Sequence, residues 1–338
     1  MTRVRLKDVA EKAGTSPGTV SRVLNNRNLH QISKQTQQRI RQIAAQMGYA
    51  VDPVARAMKT GQSMTLGLSV TGLRGSTQSH LAEEIEHQCH LRGFELLVGI
   101  ERDEPLAELA RLRNRMVDGL ILVRSSAVDD PNGILPTLQA QSFPFVCIGP
   151  PPLPGVVSVD WDRHGALQQL GTTLLAQGTR RMLLLGVSRS PGFEQRMQGL
   201  DAAVRGHQQC KLDIRTLHDL GVPNQPEPVR LAIHSLLSER KPDTLVVHSE
   251  HLAWAALAAA GDLGLSIPRD LAIACACSVP DADWHQPAWT SMELDYPQMA
   301  STAVGLLKDL TTGSDPADIA KTSSPLPPVI RWRQTTRT

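Results

Sequence analysis

The chain has 338 residues, 41% of them hydrophobic, enough to bury a large core and to divide into more than one domain. Its net charge of +2 conceals an asymmetry: residues 1–62 carry 11 Lys or Arg against 3 Asp or Glu, and the remainder carries 24 against 30, so only the first segment attracts a phosphate backbone. No apolar stretch reaches the ~18 residues of a membrane span and the start lacks an apolar secretory segment, which leads to the expectation of a cytoplasmic, nucleoid-associated protein without a membrane partner.

In chain order, Leu6, Val9, Ala10 and Ala13 recur at helical spacing, and Gly14 permits the turn that follows. Ser16 reads as an N-cap and Pro17 as a first-turn residue whose missing N–H costs nothing. Val20, Val23 and Leu24 then form an apolar stripe, which leaves Thr19, Ser21 and Arg22 outward toward phosphates or base edges. A third helix is expected from Lys34 to Met47, capped by Ser33 and stopped by Gly48, with Ile40, Ile43, Ala44 and Met47 inward and Tyr49 closing the small core. Two short helices about a tight turn in a basic segment form the pattern of an all-α helix-turn-helix headpiece over 1–49. A solvated basic tail is the alternative, and the regular apolar spacing argues against it.

Residues 50–62 form a linker, and from Thr65 strand-length apolar runs alternate with helical stretches. Strands are expected at Leu66–Val70, Glu95–Val98, Gly119–Val123, Phe145–Ile148, Val156–Val159, Met182–Leu185, Thr244–Val247 and Leu271–Cys275. Helices are expected at His80–Leu91, Ala107–Met116, Arg163–Gln177, Gln195–His207, Pro228–Leu237, Leu252–Leu263 and Tyr296–Leu310. The alternation calls for parallel sheets covered on both faces, with ligands beyond the carboxyl ends of the strands. Cys89, Cys147, Cys210, Cys275 and Cys277 are scattered without paired metal-ligand spacing and read as reduced thiols, the last two in or near the core. No Walker sequence, nucleophile elbow or metal motif is present, so neither an enzyme nor a metal or other cofactor is expected.

Leu6-Lys7-Asp8-Val9-Ala10, Ala13-Gly14, Thr19-Val20-Ser21-Arg22-Val23-Leu24-Asn25, Gly48-Tyr49 and Ala55-Arg56 together resemble the LacI/GalR family of bacterial transcriptional regulators. The resemblance implies DNA contacts from Thr15, Ser16, Pro17, Gly18, Thr19, Ser21, Arg22 and Asn25. Pro17 and Gly18 fall where family members choose their operator, and neither can form a bidentate base contact. Arg22 is then the expected guanine reader, with a phosphate or surface ion-pair role as the alternative. A hinge helix is implied at Pro53-Val54-Ala55-Arg56-Ala57-Met58-Lys59, where Met58 stands at the position of an apolar minor-groove wedge, or packs against a neighbour instead. Arg56 and Lys59 would contact DNA beside it. The usual Pro-Asn pair is replaced by Val51 and Asp52, with Pro53 one position later.

Val117–Leu122, Val159-Asp160 with Gly165, Gly178–Met182, Gly264–Pro268 and Val329-Ile330-Arg331 extend the resemblance over residues 63–338. They imply an α/β effector domain of the periplasmic-binding-protein type I fold, two Rossmann-like subdomains around a cleft. The first subdomain would cover about 63–160 and 291–322, the second about 161–290 and the tail 323–338. Effector-binding positions fall on Ser79, Asp160, Trp161, Arg196, Ser249, Glu250 and Cys277. A helix-cap or crossover role is the alternative for Asp160, and a salt bridge for Arg196. The carboxylates many relatives offer a sugar are missing from Cys275-Ala276-Cys277-Ser278, and His248, His251, Trp284, His285 and Trp289 are candidates to reshape the pocket. The expected protein is a homodimeric repressor on double-stranded palindromic operator DNA, controlled by a small-molecule effector, a sugar or sugar derivative. A solute-binding protein with a basic appendage and a ligand-independent architectural DNA binder are the competing readings.

Overall fold

The computed structural model describes residues 4–25, 28–49, 57, 61–73, 76–100, 112, 117–123, 134–149, 155–207, 209–322 and 325–337. Two compact units result, Met1–Met64 and Thr65–Thr338. Of the expected hinge, Val51, Asp52, Pro53, Arg56, Met58 and Lys59 lie outside the described residues, as does the helix expected over Ala107–Met116 apart from Leu112 and the lead-in to β3.

The first unit holds α1 (Leu6–Lys12), α2 (Pro17–Leu24) and α3 (Lys34–Gln46). Val9, Ala10, Ala13, Val20, Val23, Ile40 and Ala44 are its buried centre, with Leu6, Leu24, Ile43, Met47 and Tyr49 packed around them. Gly14 takes a φ of +59°, the left-handed conformation that lets the chain leave α1 and enter α2 within a few residues. Ser33 caps α3 by accepting from the Thr36 amide.

The second unit begins with β1 (Thr65–Val70), α4 (Ser76–Leu91), β2 (Glu95–Ile100), β3 (Gly119–Val123), α5 (Ile134–Ala140), β4 (Phe145–Ile148) and β5 (Ser158–Val159). Next come α6 (Arg163–Ala176), β6 (Arg181–Gly186), α7 (Pro191–Arg205), β7 (Lys211–Thr216), α8 (Pro226–Arg240), β8 (Thr244–Val247), α9 (Glu250–Asp262) and β9 (Ala272–Cys275). It ends with β10 (Thr290–Glu293), α10 (Tyr296–Thr311), α11 (Pro316–Thr322) and β11 (Val329–Arg331). Strands β2-β1-β3-β4-β5 form one parallel sheet, and β11-β10-β9-β8-β6-β7 a second in which only β11 runs antiparallel.

Strand periodicity explains why the second sheet is covered on both faces. Met182, Leu184, Val246 and Ala274 pack with the apolar side of α6 and α7. Their neighbours Leu183, Leu185, Leu245, Val247 and Ile273 point the other way, into the core under α8 and α9. α10 returns to the first sheet, where Gly119 leaves room for Leu307, and Arg92 at the foot of α4 donates to the Ser301 hydroxyl (3.0 Å). The chain thus passes between sheets after β5, after β10 and before β11. Leu326 lies along the first passage: its amide donates to the Asp160 carbonyl (2.8 Å) and its carbonyl accepts from the Asp162 amide (3.1 Å).

Four features differ from the sequence expectations. The strand expected at Val156–Val159 is limited to Ser158–Val159. β10 keeps residues 291–293 in the second sheet, so the boundary expected at 291 falls after Glu293. β7, β10 and β11 were not expected as strands; β7 alternates polar and apolar residues because it is an edge, and Thr290 and Ser291 are buried polar residues whose sequence gives no apolar signal. The short helices α5 and α11 were likewise not expected.

Candidate functional site

In the first unit the start of α2 is held by its own side chains. Ser16 Oγ accepts from the Thr19 amide (3.1 Å) and shares a hydrogen bond with the Thr19 hydroxyl (2.9 Å). Pro17 occupies the first turn, and Pro17 and Gly18 are exposed. Arg22 is exposed, and its nearest recorded partner is the Gln31 side-chain oxygen at 3.4 Å. Arg5, Lys7, Lys12, Lys34, Arg39 and Arg41 of the same unit are exposed as well. Thr15 is half-buried in the turn, its amide donating to the Ala10 carbonyl (3.0 Å). Asn25, expected at the DNA, turns back onto its own helix: its side-chain amide donates to the Ser21 carbonyl (2.7 Å). The expected outward Ser21 is correspondingly half-buried.

In the second unit, the passage after β5 and the first turn of α7 bring charged groups together. Arg163 is 2% exposed and forms an ion pair with Asp160. It donates further to Gln195 Oε1 (3.3 Å), and its guanidinium lies 3.6 Å from the centroid of the Trp161 ring. The Asp160 carboxylate, expected to face a ligand, is therefore engaged by a neighbour three residues on. The buried Trp161 Nε1 has no hydrogen-bond partner among the described residues.

Arg196 is 4% exposed. Its Nε donates to the Ala276 carbonyl (2.7 Å) and Nη1 to the Gly192 carbonyl (2.8 Å). Burial, reinforced by the charge of Arg163, pulls its pKa down to about 9, so it stays cationic at neutral pH. Gly192 allows this crowding: a Cβ there would meet Arg196 Nη1 at 3.3 Å and Arg163 Nε at 3.4 Å. The same two cations and burial, burial foremost, push the His248 pKa down to about 3. His248 is a neutral ring set edge-on to Phe193 (5.7 Å between centroids), and its Nδ1 has no partner among the described residues.

Ser249 caps α9 by accepting from the Leu252 amide (3.4 Å), and Glu250 opens that helix half-buried. Cys277 is half-buried just past β9, with Sγ 3.4 Å from Cys275 Sγ, a contact the sequence did not suggest. Ser79 is half-buried on α4, and its neighbour Thr77 donates its hydroxyl to the Ser278 carbonyl (3.0 Å), joining the first-sheet side to the loop after β9. Sequence reasoning missed Arg163, Gly192 and Thr77. Only Arg163 carried a usable signal, the i,i+3 spacing from Asp160 at a helix start.

The aromatic candidates assemble elsewhere. His285 stacks on Trp289 (4.1 Å between centroids), and Trp254 contacts His251, His285 and Trp289. Trp289 is in the core under α8 and α9, whereas Arg196 stands on α7 at the other sheet face. Trp284 is 88% exposed. Of these candidates His248 stands near Arg163 and Arg196, whose charges act on it. Among the described residues no group of three or more metal-ligating side chains occurs, and no helix is long and apolar enough to cross a membrane.

Comparison with known proteins places both units. The family model for bacterial regulatory proteins of the lacI family matches residues 5–52, and that for a periplasmic binding protein-like domain matches residues 172–336. The chain is 25% identical over 312 residues to the HTH-type transcriptional repressor PurR of Serratia proteamaculans, spanning 90% of this chain and 89% of that protein. A solved lac repressor dimer bound to operator and the anti-inducer ONPF covers 100% of both chains with a TM-score of 0.81 at 22% identity. The transcription regulator CcpA of Lactococcus lactis covers 81% of this chain and 99% of its own with a TM-score of 0.68 at 20% identity. The fold is a helix-turn-helix headpiece followed by a periplasmic-binding-protein-like α/β domain.

Proposed function

We propose that the chain is a ligand-responsive DNA-binding regulator of the LacI family that represses a carbohydrate or related metabolite operon as a homodimer; the lacI-family match over residues 5–52, the periplasmic binding protein-like match over 172–336 and the likeness to PurR support this reading. Two copies of α2 would enter successive major grooves of a palindromic double-stranded operator in the bacterial cytoplasm. The observation that carries this reading is the exposed start of α2, prearranged by Ser16, in a unit that also exposes Arg5, Lys7, Lys12, Lys34, Arg39 and Arg41. Arg22 would read a guanine; Pro17 and Gly18 allow close approach to the base edges; Lys7, Lys34 and Arg39 would neutralise phosphates. Arg56, Met58 and Lys59 are assigned to the hinge contact with the minor groove.

The effector is assigned to the surroundings of Asp160, Trp161, Arg196, Ser249, Glu250, Cys277 and Ser79. Arg163 already neutralises Asp160, which leaves Arg196 as the uncompensated buried charge. That balance favours a sugar derivative bearing an anionic group over a free monosaccharide. Effector and operator would then be coupled reciprocally through the relation of the two lobes.

The test is selection of bound duplexes from a random pool, followed by salt titrations with and without a panel of sugars, sugar phosphates and nucleosides. An enriched palindrome, a steep salt dependence and a shift by an anionic sugar support the reading. Failure to enrich any sequence at any salt refutes the regulatory part. Enrichment insensitive to every metabolite favours a ligand-independent DNA binder. Arg196→Ala should weaken the effector response and leave operator affinity largely intact; equal loss of both contradicts its assignment.

A further inference from the structure

We propose that Cys275 and Cys277 form a dithiol modification site, closed to a disulfide by hydroperoxides, whose closure releases Arg196 and the link between the lobes. The chain bends immediately after β9, so the two side chains return to the same side and their sulfurs lie 3.4 Å apart. Cys275 is buried and Cys277 half-buried. This is the arrangement of a resolving thiol behind an accessible one. Arg196 holds the peptide between them through the Ala276 carbonyl (2.7 Å).

The chemistry balances with a hydroperoxide as the oxidant. The Cys277 sulfur attacks hydrogen peroxide; an S–O bond forms, the O–O bond breaks, and the departing hydroxide takes the Cys277 proton and leaves as water. The Cys275 sulfur then attacks the Cys277 sulfenic acid, the S–O bond breaks, and the Cys275 proton leaves with the departing oxygen as water. Two thiols lose two hydrogens, and one peroxide becomes two waters.

The consequence follows from the peptide that closes. A disulfide needs the sulfurs at ~2.0 Å, so Cys277 must draw in toward the strand and turn the Ala276 carbonyl. That carbonyl is the acceptor of Arg196 Nε, and the carbonyl of Ser278, the residue after Cys277, accepts from Thr77 on the first-sheet side. Oxidation therefore acts on the guanidinium and the lobe contact together. The oxidation chemistry does not depend on which effector the cleft takes.

Cys210 is the internal comparator. It is also half-buried, but it precedes β7 at the opposite end of the same sheet. The experiment treats the full-length reduced chain with graded hydrogen peroxide, alkylates the remaining thiols and maps them by mass spectrometry. The expected result is loss of two of the five free thiols, in one peptide lighter by two hydrogens, reversed by dithiothreitol and complete before Cys210 reacts. Phenylarsine oxide, which bridges paired thiols, should block it. Cys275→Ser should stop at a sulfenic acid on Cys277 that dimedone traps, and Cys277→Ser should abolish both products. Hydrogen exchange of residues 192–196 and 276–278 should rise on oxidation. Earlier oxidation of Cys210, overoxidation of Cys277 without a disulfide in the unmutated chain, or insensitivity to Cys277→Ser overturns the site. Unchanged exchange overturns its link to Arg196.

Discussion

Replacing Arg163 with methionine tests the charge balance beside α7 most directly. The Arg163 and Asp160 side chains are 2% and 11% exposed, so the substitution strands a nearly buried carboxylate and removes the cation from Trp161. Breaking a buried pair costs ~3–5 kcal/mol, and the lost ring contact adds about 1 kcal/mol. Burying the methionine stem returns about 1 kcal/mol, for a net loss of roughly 3–5 kcal/mol. At ~2–4 °C per kcal/mol for a unit of this size, the melting of the α/β unit should drop by roughly 6–20 °C at pH 7. Asp160→Asn combined with Arg163→Met should recover most of the loss. A variant that melts with the unmutated chain at every pH, or a double variant no better than the single one, would refute the reasoning.

Three further outcomes follow from the geometry. Ser16→Ala removes the oxygen that accepts from the Thr19 amide and should cost about 1 kcal/mol, read as faster hydrogen exchange in α2. Arg22→Ala should relax preference at one operator position by about 1–3 kcal/mol, whereas Lys34→Ala should weaken all duplexes alike and lower the salt slope by about 1; the opposite assignment would reverse their roles. His248 has a folded pKa of about 3, below its unfolded value, so its contribution is intact above about pH 6.5 and is lost as pH falls toward 3. Denaturant titration should show His248→Gln gaining about 1–2 kcal/mol on the unmutated chain between pH 7 and pH 5, and parallel pH profiles would disprove the buried neutral ring.

The headpiece was legible because its determinants are local. Ser16, Pro17, Gly14 and Ser33 act within a turn of where they stand, and the stripe of Val9, Val20, Val23 and Ile40 follows helical spacing. The buried central strands were legible because a parallel sheet covered on both faces writes continuous apolar runs. What escaped was set by distant partners. Thr290 and Ser291 look like loop residues, yet the tail buries them: the Thr335 hydroxyl accepts from the Thr290 amide (2.9 Å) and Arg333 donates to the Ser291 hydroxyl (3.1 Å). The same holds at the candidate effector site. Asp160 and Arg196 were identifiable by position, but not that Arg163 would occupy the first or that backbone carbonyls would hold the second.

Those carbonyls decide how the proposed effector would have to act. Arg196 is a strut between the first turn of α7 and the loop after β9, since Nη1 binds Gly192 and Nε binds Ala276. Both acceptors are neutral, and a charged acceptor makes a hydrogen bond roughly twice as strong. An anionic ligand can therefore compete for the guanidinium where a neutral hydroxyl would gain little. The Ala276 carbonyl it displaces lies three residues before Val279 in the core under α9 and directly before the Cys277-Ser278 step that receives the Thr77 hydroxyl. Ligand occupancy and the lobe contact then draw on the same segment, so the two states differ in hydrogen-bond partners rather than in a rigid displacement of either sheet. Thr77→Val separates the possibilities: it removes the lobe contact while leaving every Arg196 partner in place. If the segment couples the two, the variant should bind an anionic effector more tightly and hold operator less dependably; unaltered effector affinity would place the coupling in another part of the cleft.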